Sequence, residues 1–171
     1  MSEEKNGYVP VYKDFSGVLR KYYVLFFTTD RIIVVRTITR KTKGYGNFAP
    51  NPTNFQLIDS VSSRATFEEI CELSPEELLE ADKDNFIIPN ETIEGILLKK
   101  DWILINLLGS YGEIKIHTST GDEYKFIFNL EFHLPDVSGD DEKEQKIIFN
   151  EKFENYIEFI ENSFPIVENK L

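Results

Sequence analysis

The chain has 171 residues, of which 41% are apolar and 13% aromatic, and its nineteen Lys and Arg face thirty Asp and Glu for a formal net charge of -11. Apolar content at that level excludes a disordered acidic chain and suits one domain over residues 1–171, while a lone cysteine excludes an internal disulfide. No apolar run reaches the length of a membrane span, and Met1-Ser2-Glu3-Glu4 lacks the basic-then-apolar pattern of a secretion signal, so a cytoplasmic protein is expected.

In chain order, the first clear elements are two runs rich in β-branched and aromatic residues, Tyr22 to Thr28 and Ile32 to Ile38, separated by the polar Thr29-Asp30-Arg31. They predict an antiparallel hairpin whose strands are buried along most of their length. From Lys43 to Asn54 the chain carries two Gly, two Pro and three Asn, the composition of a loop long enough to be functional. Two helix starts follow. Thr66 is followed three residues on by Glu69, and Ser74 by Pro75 and then Glu77; both are capping boxes, predicting helices over 67–72 and 75–83.

Short strands are then predicted at 86–89 and 93–99, with Pro89 at a sheet edge or a bend because it cannot donate to a ladder. Residues 102–108 are apolar except for Asn106 and lead into a turn at 110–112. Strands at 113–118 and 123–128 alternate polar with apolar residues around a turn at Ser119-Thr120-Gly121-Asp122, a second hairpin. Phe149, Phe153, Tyr156, Ile157, Ile160 and Phe164 form one stripe at helical spacing, with Glu151, Glu154, Glu158 and Glu161 elsewhere. This predicts an amphipathic helix over 149–164 packed on the sheet and ended by Pro165.

Charge is unevenly placed. Residues 68–84 and 140–161 hold eight acids each, against one and three bases, and the remainder of the chain is close to neutral. Within that remainder, residues 20–43 hold Arg20, Lys21, Arg31, Arg36, Arg40, Lys41 and Lys43 against Asp30 alone. A partner therefore meets a dipolar surface. Arg36, Arg40, Lys41 and Lys43 lead into a loop bearing Tyr45 and Phe48, and bases beside aromatics hold phosphates or stack bases; the plainer reading pairs these bases with the acidic helices that follow. A sequence pI near 4.7 argues against general nucleic-acid binding.

Catalytic patterns are sparse. His117 and His133 have no partner at metal-ligand spacing, and Cys71 lies among acids that raise a thiol pKa. Gly44-Tyr45-Gly46 lacks the third glycine of a dinucleotide loop and the Gly-Lys-Ser/Thr of a phosphate loop. No catalytic residue, metal or cofactor is assigned.

The segment Tyr23-Val-Leu-Phe-Phe-Thr-Thr-Asp-Arg-Ile-Ile-Val-Val35 resembles the second and third strands of prokaryotic pleckstrin-homology-like (PH-like) and GRAM-type domains, with a Thr-Asp-x-Arg-type turn one residue tighter here. Asp84 to Lys100, an Ile-Pro pair, a polar step and a strand ending in lysines, is similar to a later segment of the same family, and the resemblance spans about 15–164. It implies a mainly β, α+β fold: an antiparallel β-sandwich or partly open barrel capped by the C-terminal helix, here with a loop-plus-two-helix insertion at about 36–83. Its phosphoinositide-binding members carry a basic pattern in the first strand-to-strand loop, of which Arg20 and Lys21 are only a fragment, so lipid binding is not implied.

The function expected is that of a non-enzymatic binding module engaging another protein through the 36–54 segment or a sheet edge. Two alternatives stand beside it. One is a peripheral membrane adaptor meeting anionic head groups through the basic 36–43 segment. The other is an enzyme assembling a site from scattered carboxylates and His117.

Overall fold

The structure is a computed structural model that describes residues 4–15, 19–41, 67–99, 112–129, 142–164 and 167–170. Its elements are mostly antiparallel strands with a long C-terminal helix, a mainly β member of the α+β class. They fall in two compact units, Met1–Thr92 and Ile93–Leu171.

The first unit is an antiparallel meander of β1 (Lys5–Phe15), β2 (Leu19–Thr28), β3 (Arg31–Lys41) and β4 (Phe86–Pro89), with α1 (Phe67–Glu72) and α2 (Pro75–Glu80) between the last two strands. The predicted hairpin is β2 and β3. Val24 to Phe27 and Ile32 to Val35 are almost wholly buried on both faces, which is why they read as continuous apolar runs. The turn between them is two residues, Thr29 and Asp30. Thr28 closes it from both sides: its Oγ1 accepts from the Arg31 N–H at 3.1 Å and donates to the Arg31 carbonyl at 2.7 Å.

Two strand boundaries differ from expectation. β1 has no counterpart in the predicted elements, because Gly7, Pro10 and the charged Lys13 and Asp14 interrupt its apolar residues, Val9, Val11 and Tyr12. β3 runs five residues beyond Arg36, to Lys41, so the insertion starts later than expected. Pro89 does sit at an edge. Asn90 N–H donates to the Asp30 carbonyl at 2.9 Å, so by alternation the Arg31/Pro89 pair is a non-bonded one and the missing proline N–H faces away from β3.

The Ser74 capping box is present in full, with Ser74 Oγ accepting from the Glu77 N–H at 3.2 Å and Glu77 Oε2 accepting from the Ser74 N–H at 2.8 Å. The helix ends at Glu80 rather than at 83, since Asp82 Oδ1 accepts from the Asp84 N–H at 2.8 Å and turns the chain. Lys5 from β1 caps α1: its ammonium donates to the carbonyls of Cys71 and, at 2.5 Å, of Leu73. Thr66, the cap expected for α1, lies outside the described residues.

The second unit orders its strands β7 (Glu123–Phe128), β6 (Glu113–Thr118), β5 (Ile93–Lys99) and β8 (Val167–Lys170), with β5 to β7 antiparallel and β8 parallel to β5. Gly121 takes a positive φ of 86° in the β6–β7 turn, where Thr118 N–H donates to the Asp122 carbonyl at 3.1 Å. Buried Ile96, Leu98, Ile114, Ile116, Phe126 and Phe128 form the inner side of this sheet. The helix α3 (Glu142–Ser163) supplies Phe153, Ile157 and Ile160, also buried, with Phe164 just beyond its end. Phe128 meets Phe153 edge to face at 5.3 Å between centroids and stacks on Tyr156 at 6.3 Å, so the predicted stripe does cover a sheet. α3 begins seven residues before the first aromatic of the stripe, because its polar opening turns show no apolar period. β8 was not expected at all, since Val167-Glu168-Asn169-Lys170 carries one apolar residue.

Candidate interaction surface

Of the predicted basic segment, Arg36 is the residue whose side chain is described. It sits on β3 beside the turn that follows α2, and its Nη1 pairs with Asp84 Oδ2. Its backbone N–H donates to Asn85 Oδ1 at 2.7 Å, while Asn85 Nδ2 donates to the Leu78 carbonyl at 2.7 Å. At the start of the same strand, Arg31 Nη2 bonds Glu76 Oε1 at 3.1 Å. These contacts tie α2 and the turn after it to β3, which is the plainer of the two roles foreseen for those bases. Arg36 is therefore held as a tether between β3 and α2.

β4 pairs with residues 31–34 of β3, while β2 pairs with β3 from Ile32 to Lys41, so β2 is the neighbour beyond Val34. A bulge between Lys21 and Tyr23 shifts the register by one, and it sets Arg20 opposite Arg40, Lys21 opposite Thr39, and Leu19 opposite Lys41. On the other side of β2, β1 sets Lys13 opposite Lys21 and Asp14 opposite Arg20. Five bases and one acid thus share one end of a three-stranded sheet. Like charges directly opposite each other in a sheet destabilise it, and this end has two such pairs, Lys13 with Lys21 and Arg20 with Arg40. Partial burial, aided by the Lys21 charge, holds the Lys13 ammonium below the usual lysine range. Its Nζ lies 5.9 Å from the Tyr23 ring centroid. Lys43, Tyr45 and Phe48 lie outside the described residues, and so do the side chains of Arg40 and Lys41.

A second charged array lies on β6 and β7. Lys125 Nζ is 2.6 Å from Glu113 Oε2, Lys115 Nζ is 3.6 Å from Glu113 and 4.0 Å from Glu123, and His117 Nδ1 is 3.4 Å from Glu123 Oε2. His117 is exposed and shares Glu123 with Lys115. Lys115 stands directly opposite Lys125, and Glu113 offsets that pair by bonding both lysines while Glu123 sits within 4.0 Å of Lys115. Among the described residues no three His, Cys, Asp or Glu side chains are grouped to hold a metal ion, and no helix is long and apolar enough to cross a membrane. His133 lies outside the described residues.

Comparison of the chain with family models, with curated proteins and with solved structures found no match.

The sequence places Arg20, Lys21, Arg40 and Lys41 in one basic stretch, but Lys13 is missed and Arg20 and Lys21 are not among the candidate interaction residues. The signal was partly present: a tight turn at Thr29-Asp30 folds residues near 20 against residues near 40. The bulge that brings Arg20 into direct register with Arg40 leaves no mark in the residues themselves.

Proposed function

We propose that this chain is a PH-like binding module and that the basic end of β1, β2 and β3 engages an anionic partner, in the first place another protein. The observation that carries the reading is the register: Lys13, Arg20, Lys21, Arg40 and Lys41 are gathered on neighbouring strand ends with a single acid among them. Like charges directly opposite each other cost stability, and surfaces that keep such a cost are typically those used for binding. The order of elements supports the fold part of the reading: a four-stranded meander, a three-stranded one, and a helix that docks its aromatic stripe on the latter. Arg36 stands apart from this surface, with Asp84 and Asn85 as its neighbours.

The same five bases favour a second reading, attachment to anionic lipid head groups, because a cluster of lysine and arginine contributes about 1 kcal/mol per residue near an anionic membrane. The two are separated by one pair of measurements on the wild type and on the triple variant Lys21→Glu, Arg40→Glu, Lys41→Glu. A protein captured from native lysate by the wild type and lost by the variant, with no sedimentation on anionic vesicles at low salt, is the expected result. Sedimentation at low salt that falls at high salt and in the variant replaces the protein partner by a membrane. Capture that is unchanged by the three reversals refutes the surface.

A further inference from the structure

The edge of β5 in the second unit is covered by β8, a strand of four residues paired in parallel: Ile96 with Val167, Leu97 with Glu168, Leu98 with Asn169 and Lys99 with Lys170. The backbone groups that hold it follow from the neighbouring ladders. Phe128 N–H donates to the Gly112 carbonyl at 3.0 Å and Thr118 N–H to the Asp122 carbonyl at 3.1 Å, so even-numbered residues from 112 to 118 face β7 and the odd-numbered ones face β5. With 97 opposite 115 and 99 opposite 113, Leu97 and Lys99 turn their amides to β6, and Ile96 and Leu98 turn theirs to β8. β8 thus occupies a built acceptor edge that would otherwise present two unpaired amides.

Only Pro165 and Ile166 lie between Phe164, at the end of α3, and the start of β8. A connection that short, with φ fixed by proline in one of its two residues, has few ways to fold the strand back. Short connections before an edge strand favour its exchange between two copies of a chain, because each β5 edge then receives the same segment in the same register. We infer that β8 is exchangeable, and that the β5 edge accepts β8 from a second copy of this chain to give a reciprocal dimer. The resident strand itself identifies the occupant, since its four register pairs are reproduced unaltered when the segment comes from the other copy. Parallel pairing, slightly weaker per residue than antiparallel, and a ladder of four residues make the strand one that opens before the rest of the sheet.

The test uses the full chain with Cys71 changed to Ser. Leu97→Cys and Glu168→Cys are placed in separate copies, which are mixed, concentrated, oxidised and run on a non-reducing gel beside each variant alone. A parallel register pair brings two cysteines within disulfide reach only if β8 of one copy lies on β5 of the other. A disulfide-linked dimer severalfold more abundant in the mixture than in either variant alone is expected, reduced by Pro165→Gly, which frees the hinge. A mixture that gives no more dimer than its components, while the variant carrying both cysteines in one chain crosslinks within itself, overturns the exchange. A mixture that crosslinks equally well with Glu94→Cys in place of Leu97→Cys overturns it too, since that residue is out of register with Glu168.

Discussion

Asn85 shows how one side chain fixes an arrangement that charge alone would leave loose. Its amide donates to the Leu78 carbonyl at the end of α2 and its oxygen accepts from the Arg36 N–H on β3, both at 2.7 Å. Asn85→Ala leaves both backbone groups without that partner, and each buried unsatisfied group costs roughly 1–3 kcal/mol, so a loss of about 2 kcal/mol is expected in urea unfolding at an unchanged m-value. Glu77 sets a pH dependence of definite sign. The Ser74 N–H and hydroxyl hold its carboxyl below the usual glutamate range. A carboxyl with a folded pKa below its unfolded one adds stability above the unfolded pKa and loses it as pH falls through the folded value. Glu77→Gln is therefore expected to flatten the acid limb of the stability curve, measured as midpoint against pH from 7 downwards. An acid limb that superimposes on the wild type contradicts the role given to that cap.

At the scale of elements, burial on both faces made the β2–β3 hairpin legible, and alternation made β6 and β7 legible, because each carries its environment in its own residues. β1 and β8 escaped for the opposite reason. Their pairing is decided by neighbours distant in sequence, and Pro10 or the polar Glu168-Asn169-Lys170 contradicts the local pattern. Arg36, Arg40 and Lys41 were legible as a basic run, but their division between tether and surface was not, because it depends on Asp84, forty residues or more away, and on a bulge. The docking of α3 has its own close approach. A Cβ built on Gly112 would fall 2.4 Å from Phe153 Cε2 and 3.0 Å from the Lys99 carbonyl oxygen. Phe153 is fully buried and has no free direction to move, so Gly112→Ala overpacks the helix–sheet contact. A destabilisation of about 1–3 kcal/mol is expected, with most of it recovered by Phe153→Leu in the same chain. Non-additivity of that double variant, read from its unfolding midpoint, checks that the two residues share one contact.

For the molecule as a whole, the acidic excess sits on helices and the basic excess on strand ends, so net charge and local charge have opposite signs where binding is proposed. The bases of β3 fall in two groups: Arg36 ties the strand to Asp84, while Arg40 and Lys41 join Lys13 of β1 and Arg20 and Lys21 of β2 at the end proposed for binding. The Arg36 side chain is 18% exposed and Asp84 43%, so their pair is partly screened and is taken at about 1 kcal/mol, which corresponds to about 2–4 °C in a chain of this length. Thermal unfolding at low salt of Arg36→Ala beside Lys21→Gln with Arg40→Gln measures that division directly. The predicted result is a lower midpoint for Arg36→Ala and an equal or higher one for the double variant, whose like-charge neighbours are relieved. A midpoint that falls in the double variant as far as in Arg36→Ala would show those bases to be structural and contradict the account.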